Sequence, residues 1–320
     1  MQKSGCILST LFVTIYVWMA GMGVIRAQDA PYPLEHAKRI LFLGNSITYG
    51  GDYVSIFETS LSVSYPANNP EVINLALPSE TVSGLSEPDH ADGKFPRPCL
   101  FSRVTSVLQK SKPIDIAFAC YGMNDGIYLP FDMNRFEAYK RGMIRLRDSL
   151  EAAGVKRIIF MTPPIHDDKD KGLGGYNLVL DKYAEWLLAQ RKARGWEVID
   201  VHFPMRAYLE KKRQKDADFK LAEDGVHPGK EGHWLIAKAL LQYFHLQGGL
   251  VKTTLNDFLE SQPYIVNLYT LIGKRQSFMK DAWLTYTGHE RPGMPIGLPM
   301  EEAAIQYEQL EREIFQLKRN

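Results

Sequence analysis

Arg39-Ile-Leu-Phe-Leu-Gly-Asn-Ser-Ile-Thr-Tyr-Gly50 is the stretch on which the fold turns. Residues 40–43 are apolar without alternation, the pattern of a parallel strand covered on both faces. The run breaks at Gly44-Asn45-Ser46, residues suited to a tight turn, and a helical segment follows from about Asp52. A strand feeding through such a turn into a helix is the repeating unit of an α/β protein. The same pattern recurs downstream: further strands are expected at Glu71–Leu75, Ile114–Ala119, Arg157–Met161 and Glu197–Asp200, each nearly continuous in apolar residues. Between them lie helix-length stretches. Phe136–Leu150 places Phe136, Met143, Leu146 and Leu150 on one face, and Tyr176–Gln190 spaces Tyr176, Leu180, Tyr183 and Leu187 helically. The expectation is an α/β fold, a three-layer α/β/α sandwich around a five-stranded parallel sheet. Such sheets carry their working residues on loops at the carboxyl ends of the strands, here near Gly44, Ala76, Tyr121 and Thr162.

The two ends of the chain differ from this middle. Lys3 begins a short basic region, Ile7 to Ile25 carries no charge, and the small residue Ala27 precedes Gln28-Asp29. This reads as a secretory signal peptide, residues 1–27, which places residues 28–248 outside the cytoplasm, in a periplasm or the extracellular space. An uncleaved membrane anchor is the alternative, because a spanning helix needs about 20 apolar residues. Membrane contact is expected only in that case. From residue 249 to 320 the chain reads as a C-terminal helical extension: a mostly helical stretch over 253–287, a Pro/Gly-rich loop from His289, and a last helix from Met300 to about Lys318. Ala303, Tyr307, Leu310, Ile314 and Leu317 form a narrow apolar seam in that helix. The seam is expected to pack on the preceding helix, with a homodimer contact as the alternative.

Composition narrows the function. With 45% hydrophobic and 23% charged residues the chain has enough apolar material for a sizeable core. A formal charge of +1, with Lys and Arg scattered, argues against a nucleic-acid partner. Two cysteines, Cys99 and Cys120, remain beyond the leader. An exported protein can oxidise such a pair only if the two come close in space, and Cys120, ending an apolar run, reads as a buried small hydrophobe.

Three motifs carry chemistry. Ser46 at a strand-to-helix turn lies where a helix N-terminus favours negative charge, which suits a nucleophile whose reaction generates an oxyanion. Leu221-Ala-Glu-Asp-Gly-Val-His227 places Asp224 and His227 three apart on one loop. A serine nucleophile needs a base, and the base needs an acceptor to fix its tautomer; that loop supplies both. Ala119-Cys-Tyr-Gly-Met-Asn-Asp-Gly126 ends a strand with an amide, Asn124, able to donate to a developing oxyanion. Each of the three also reads as ordinary turn chemistry.

Together, Gly44-Asn45-Ser46-Ile47, Gly122-Met123-Asn124-Asp125 and Asp224-Gly225-Val226-His227 resemble blocks one, three and five of the SGNH (GDSL-type) hydrolases, over roughly residues 38–247. The resemblance implies a flavodoxin-like fold and ester hydrolysis through a serine acyl-enzyme, with no metal or other cofactor. Ser46 would be the nucleophile, His227 the base and Asp224 its orienting acid; Asn124 and the backbone N–H groups of Ser46 and Ser79 would form the oxyanion hole. Two positions depart from the family pattern. Asn45 stands where the family usually has Asp, and Ser79 stands where it has a glycine whose N–H enters the hole. If that position requires φ > 0, serine is strained there and glycine is not.

Export together with this core points to a small-molecule or carbohydrate ester as substrate, with a short acyl group such as acetyl removed from a sugar. A lysophospholipase, a thioesterase or a sugar O-acyltransferase would use the same triad. A non-catalytic carbohydrate-binding protein is the rival from another class. The loop Pro88–Pro98, with His90, Asp92 and Arg97, is expected to wall the substrate cleft, and Tyr49, Tyr121 and Tyr128 are candidates to stack on a sugar ring. His166-Asp-Asp-Lys-Asp170 reads as a solvated loop, and Asp200-Val-His202 as a turn-fixing segment.

Overall fold

A computed structural model describes residues 31–168, 175–249 and 252–319. The leader expected at residues 1–27 therefore lies outside the described residues. Among the described residues no helix is long and apolar enough to cross a membrane.

In chain order the elements are β1 (Arg39–Gly44), α1 (Ser46–Gly50), α2 (Asp52–Ser64), β2 (Glu71–Asn74), α3 (Val104–Ser111), β3 (Ile116–Cys120), α4 (Met133–Ala152), β4 (Arg157–Met161), α5 (Tyr176–Arg194), β5 (Glu197–Ile199), α6 (His202–Arg213), α7 (Lys230–Tyr243), α8 (Leu255–Leu259), α9 (Ile265–Thr287) and α10 (Met300–Leu317). The five strands pair in parallel in the order β2-β1-β3-β4-β5. This is the flavodoxin-like order, whose switch point lies between β1 and β3. Gly44 is in register with Cys120, so the chain leaves β1 and β3 side by side. The loop after β2 joins them, because the Leu77 N–H donates to the Gly44 carbonyl at 3.0 Å.

Side chains alternate across a strand, and the two faces of the sheet are covered by different helices. On one face Phe42 stacks on Phe118 at 4.6 Å, and Phe57 of α2 meets both rings edge-on. Phe160 is in register with Ala119 and therefore points to the opposite face, where it packs on Trp196. Tyr139 of α4 and Tyr183 of α5 stack at 4.3 Å on that side. This is the three-layer sandwich anticipated from the apolar runs. The third strand begins at Ile116, two residues later than its apolar run. Ahead of it, the Asp115 carboxylate accepts the backbone N–H groups of Lys38 and Arg39, at 2.7 and 3.0 Å.

The C-terminal helices join the same compact unit, which begins at Tyr32. Arg275 and Gln276 of α9 reach the buried Glu58 of α2, and the Gln276 amide also donates to the Val72 carbonyl of β2 at 2.9 Å. Ala303, Leu310 and Ile314 of the last helix are buried, and Ile314 clusters with Leu268 and Ile272 of α9. The seam thus packs on the chain's own preceding helix. Cys99 and Cys120 are both free thiols, and burial pushes the Cys120 thiol up to about 12.

Candidate active site

Ser46 opens α1, a single helical turn absent from the expectation of a helix beginning near Asp52. Two neighbours set this geometry. A Cβ on Gly44 would lie 2.3 Å from Thr48 Oγ1 and 3.0 Å from the Cys120 carbonyl, so only glycine lets the chain turn against β3. Asn45 caps the turn, its side-chain oxygen accepting the Ile47 N–H at 3.1 Å. The amide thus supplies the acceptor that a carboxylate would supply there. Ser46 sits half-buried with its N–H in the first helical turn, where backbone donors lack intrahelical partners.

The loop bearing His227 is pinned from below. Asp167, 3% exposed, accepts the N–H groups of Leu221 and Ala222, and its own N–H donates to the Gly225 carbonyl at 2.8 Å. Gly225 has φ +81°, and a Cβ there would meet Asp168 at 2.5 Å. This corrects the reading of 166–170 as a solvated loop at His166 and Asp167; residues 169 and 170 lie outside the described residues. Asp167 is buried because it serves the backbone of a loop more than fifty residues downstream, and the buried His166 is held through its backbone by the Asn177 side chain.

On that support, Asp224 Oδ1 accepts the N–H groups of Val226 and His227, at 2.9 and 2.7 Å. Its Oδ2 lies 2.6 Å from His227 Nδ1, and His227 Nε2 lies 2.7 Å from Ser46 Oγ. An ionised carboxylate only accepts, so Nδ1 carries the proton and Nε2 faces the serine hydroxyl as an acceptor. Partial burial pulls the Asp224 carboxyl upward. The donors from His227 and Val226 outweigh it and hold the group below the usual carboxylate range. The His233 imidazole is lowered, chiefly by burial, and its ring stacks on Tyr53.

Asn124 follows β3 by four residues and is 2% exposed. Its Nδ2 donates to the Glu80 carbonyl at 3.1 Å, and its Oδ1 accepts from the Tyr128 hydroxyl at 3.0 Å. A carbonyl can only accept, so the amide is fixed in this sense, with one N–H bound to Glu80 and the other left to donate elsewhere. The next residue, Asp125, is fully buried and clamps the two loops together. Its carboxylate accepts the N–H groups of Val82, Ser83 and Gly122 at 2.8–2.9 Å. Beneath them Glu80 is paired with Arg103 at 2.6 Å. None of the partners of Asp125 or Glu80 across the loops was legible in the sequence.

Ser79 adopts φ +66°, the left-handed region that a glycine would occupy without strain. For an L-residue with a Cβ that conformation costs about 1–2 kcal/mol. Ser79→Gly is accordingly expected to stabilise the fold by about 1 kcal/mol, less the added freedom glycine has when unfolded, while esterase activity persists. Thermal unfolding and p-nitrophenyl acetate turnover on the same samples check this. A lower melting temperature would show that the serine side chain is held there by contacts worth more than the strain.

The other cleft candidates fall out differently. Tyr121 is fully buried and donates to Glu80 at 2.7 Å; it is a core residue and not a sugar platform, because it extends β3 into the packed interior. Tyr49 is half-buried, its hydroxyl bound to Asp281 at 2.7 Å. Arg97 makes a two-pronged pair with Glu87 at 2.5–2.6 Å and lies over the Tyr128 ring at 5.1 Å. Thr162 Oγ1 donates to Asp200 and accepts from the N–H of His202, so that segment fixes a turn. Among the described residues no group of three or more His, Cys, Asp or Glu is arranged to hold a metal ion.

Three comparisons bear on this arrangement. A search of curated proteins returned no match. Among solved structures the chain is similar to a gut microbial diltiazem-metabolizing enzyme, at 22% identity and a TM-score of 0.53 over 67% of this chain; the chain spans 48% of that protein. It is similar also to an alpha/beta hydrolase enzyme from the metagenome of Lake Arreo, Spain, at 21% identity and a TM-score of 0.50, covering 66% of this chain and 97% of that one. An acetylxylan esterase from Geobacillus stearothermophilus matches at 21% identity and a TM-score of 0.49, over 65% of this chain and 94% of that one. At these identities the first two speak for the α/β/α fold alone. The model of the GDSL-like Lipase/Acylhydrolase family matches residues 42–235, more than half of the chain and a span that holds all three motifs. The chain belongs to the GDSL-like Lipase/Acylhydrolase family of ester-hydrolysing enzymes.

Proposed function

We propose that the protein is an exported serine esterase that removes short acyl groups, acetyl foremost, from carbohydrate. The observation that carries the mechanism is the unbroken relay from Ser46 through His227 to Asp224. In this reading His227 Nε2 takes the Ser46 proton as Oγ attacks the ester carbonyl. The tetrahedral oxyanion accepts from the Ser46 N–H, the Ser79 N–H and the uncommitted N–H of Asn124. Collapse breaks the bond to the alcohol, which leaves with the proton from His227, and water then cleaves the acyl-enzyme by the same steps in reverse. Asp224 stays ionised throughout and stabilises the imidazolium.

Export is supported by the uncharged run Ile7 to Ile25 ahead of Ala27. The carbohydrate assignment is supported by the ester-hydrolysing family together with that export, which puts the enzyme among substrates outside the cytoplasm. The test compares p-nitrophenyl acetate with p-nitrophenyl octanoate, and both with acetylated xylo-oligosaccharide. A kcat/KM at least tenfold higher for acetate, with acetate released from the sugar, is the expected result. A preference for octanoate would point to a lipid or thioester substrate and end the short-acyl reading. A fluorophosphonate that fails to label Ser46 would end the serine mechanism itself.

A further inference from the structure

We propose that the cavity between the 88–98 loop and the 287–292 loop is a subsite for an oxyanion carried by the substrate, the carboxylate of an acidic saccharide. This rests on the reading of the neighbouring site as a carbohydrate esterase. The cavity measures about 530 Å³, and its wall includes Phe95, Arg97, Arg103, His289 and Arg291. Three of those residues each carry a buried nitrogen with no hydrogen-bond partner: Nη1 of Arg103, Nδ1 of His289 and Nε of Arg291. Buried polar groups are nearly always paired. Three such nitrogens in residues that line one cavity favour an acceptor there.

The charges point the same way. Arg103 is 5% exposed and already matched by Glu80, and Arg97 is matched by Glu87. Arg291 pairs with no carboxylate among the described residues; its Nη1 donates only to the Pro292 carbonyl and toward Met294 Sδ. Its guanidinium lies over the Phe95 ring at 5.2 Å, which holds it in place. Glu290 is the one acid on the wall, and it is exposed. Burial, with the Arg103 and Arg291 cations beside it, lowers the His289 imidazole and favours its neutral form. A carboxylate offers about four acceptor positions and suits guanidinium groups especially well.

Two links connect the cavity's wall to the turn that carries Ser46. Leu77, on its wall, donates its N–H to Gly44, two residues before Ser46. Tyr49, three residues after Ser46, feels the charge of Arg291. One wall is the loop after β2 and the other belongs to the C-terminal extension, which lies beyond the family match. The subsite would therefore be a property of this chain and not of the shared core.

The test uses calorimetric titration of Ser46→Ala protein, which binds without turnover, with three probes: a galacturonate oligosaccharide, a xylo-oligosaccharide of equal length, and inorganic phosphate. The uronide is expected to bind about tenfold more tightly than the neutral sugar, the increment of one charge-assisted hydrogen bond. Arg291→Gln in the same background should erase that preference. Arg291 lies half-buried on a loop, and an unchanged melting temperature would show that the fold is intact. Equal binding of the two sugars by the Ser46→Ala protein would overturn the proposal. So would Arg291-dependent binding of phosphate with no preference for the uronide, which would mark a site for a free ion. Binding is read without hydrolysis, so failure here is distinct from failure of the esterase reading, which would appear as wild-type protein inert toward acetyl esters.

Discussion

Ser46→Ala is expected to reduce kcat for p-nitrophenyl acetate by about 10⁶-fold, the loss seen when the nucleophile of such a relay is removed. The geometry leaves no substitute. His227 Nε2 would face a methyl group, and general-base attack by water is all that the site could still promote. The His227 ring would stay where it is, because Asp224 holds it at Nδ1 and the backbone of the same loop is fixed by Asp224 and Asp167. The variant should therefore unfold at the wild-type temperature and still bind substrate. Asp224→Asn should cost about 10⁴-fold in kcat, because an amide can favour the wrong tautomer of His227. Joining it to Ser46→Ala should add almost nothing, because the two act as a unit. Measured additivity would mean that Asp224 and Ser46 do not act together through His227, whatever the 2.7 Å separation of His227 and Ser46.

The second large effect is expected at Asn124. Asn124→Ala should lower kcat by about 10²–10³-fold, the usual loss for one oxyanion donor, while KM changes little because the interaction forms only in the transition state. Tyr128 offers a sharper version of the same test. Its hydroxyl holds Asn124 Oδ1, and its ring is itself held against Tyr176 at 5.0 Å. Tyr128→Phe removes the hydrogen bond and keeps the ring. If Tyr128 acts by positioning the amide, the phenylalanine variant loses kcat and not KM, and loses nothing more once Asn124 is already alanine. A loss of equal size in both backgrounds would assign Tyr128 a role of its own.

What the sequence made legible was whatever repeats. Continuous apolar runs announced five parallel strands, because a strand covered on both faces has no polar side to show. The contacts of His227 with Ser46 and Asp224 were legible for a different reason, since Asp224 and His227 sit three apart on one loop and need only a serine beside them. What stayed hidden depends on partners far apart in the chain. Asp125 reads as a turn residue, and only the fold reveals that it accepts from Val82 and Ser83. Asp167 sits in a polar run that imitates a solvated loop, yet it holds the loop that carries His227. Tyr121 looks like a cleft aromatic because it follows a strand end; one more residue of strand direction turns it inward. The one-turn helix at Ser46 is invisible in the sequence because five residues carry no periodicity, and Asn45 and Gly44 define it through contacts with the rest of the fold.

The contact of Gln276 with Val72 has a consequence for how this chain can be handled. β2 is the outermost strand on its side of the sheet, and an outer strand with unpaired carbonyls is a template for another chain to add to. Helix α9 covers that border and also supplies the partners of Glu58, which is buried. Cutting the chain back to the family-matched core would uncover both at once, a bare strand and a buried carboxylate stripped of its cation. Such a fragment would be prone to aggregate, however complete its triad. The added helices therefore act as a shield, and any shortened form of this enzyme should keep the chain through to α10.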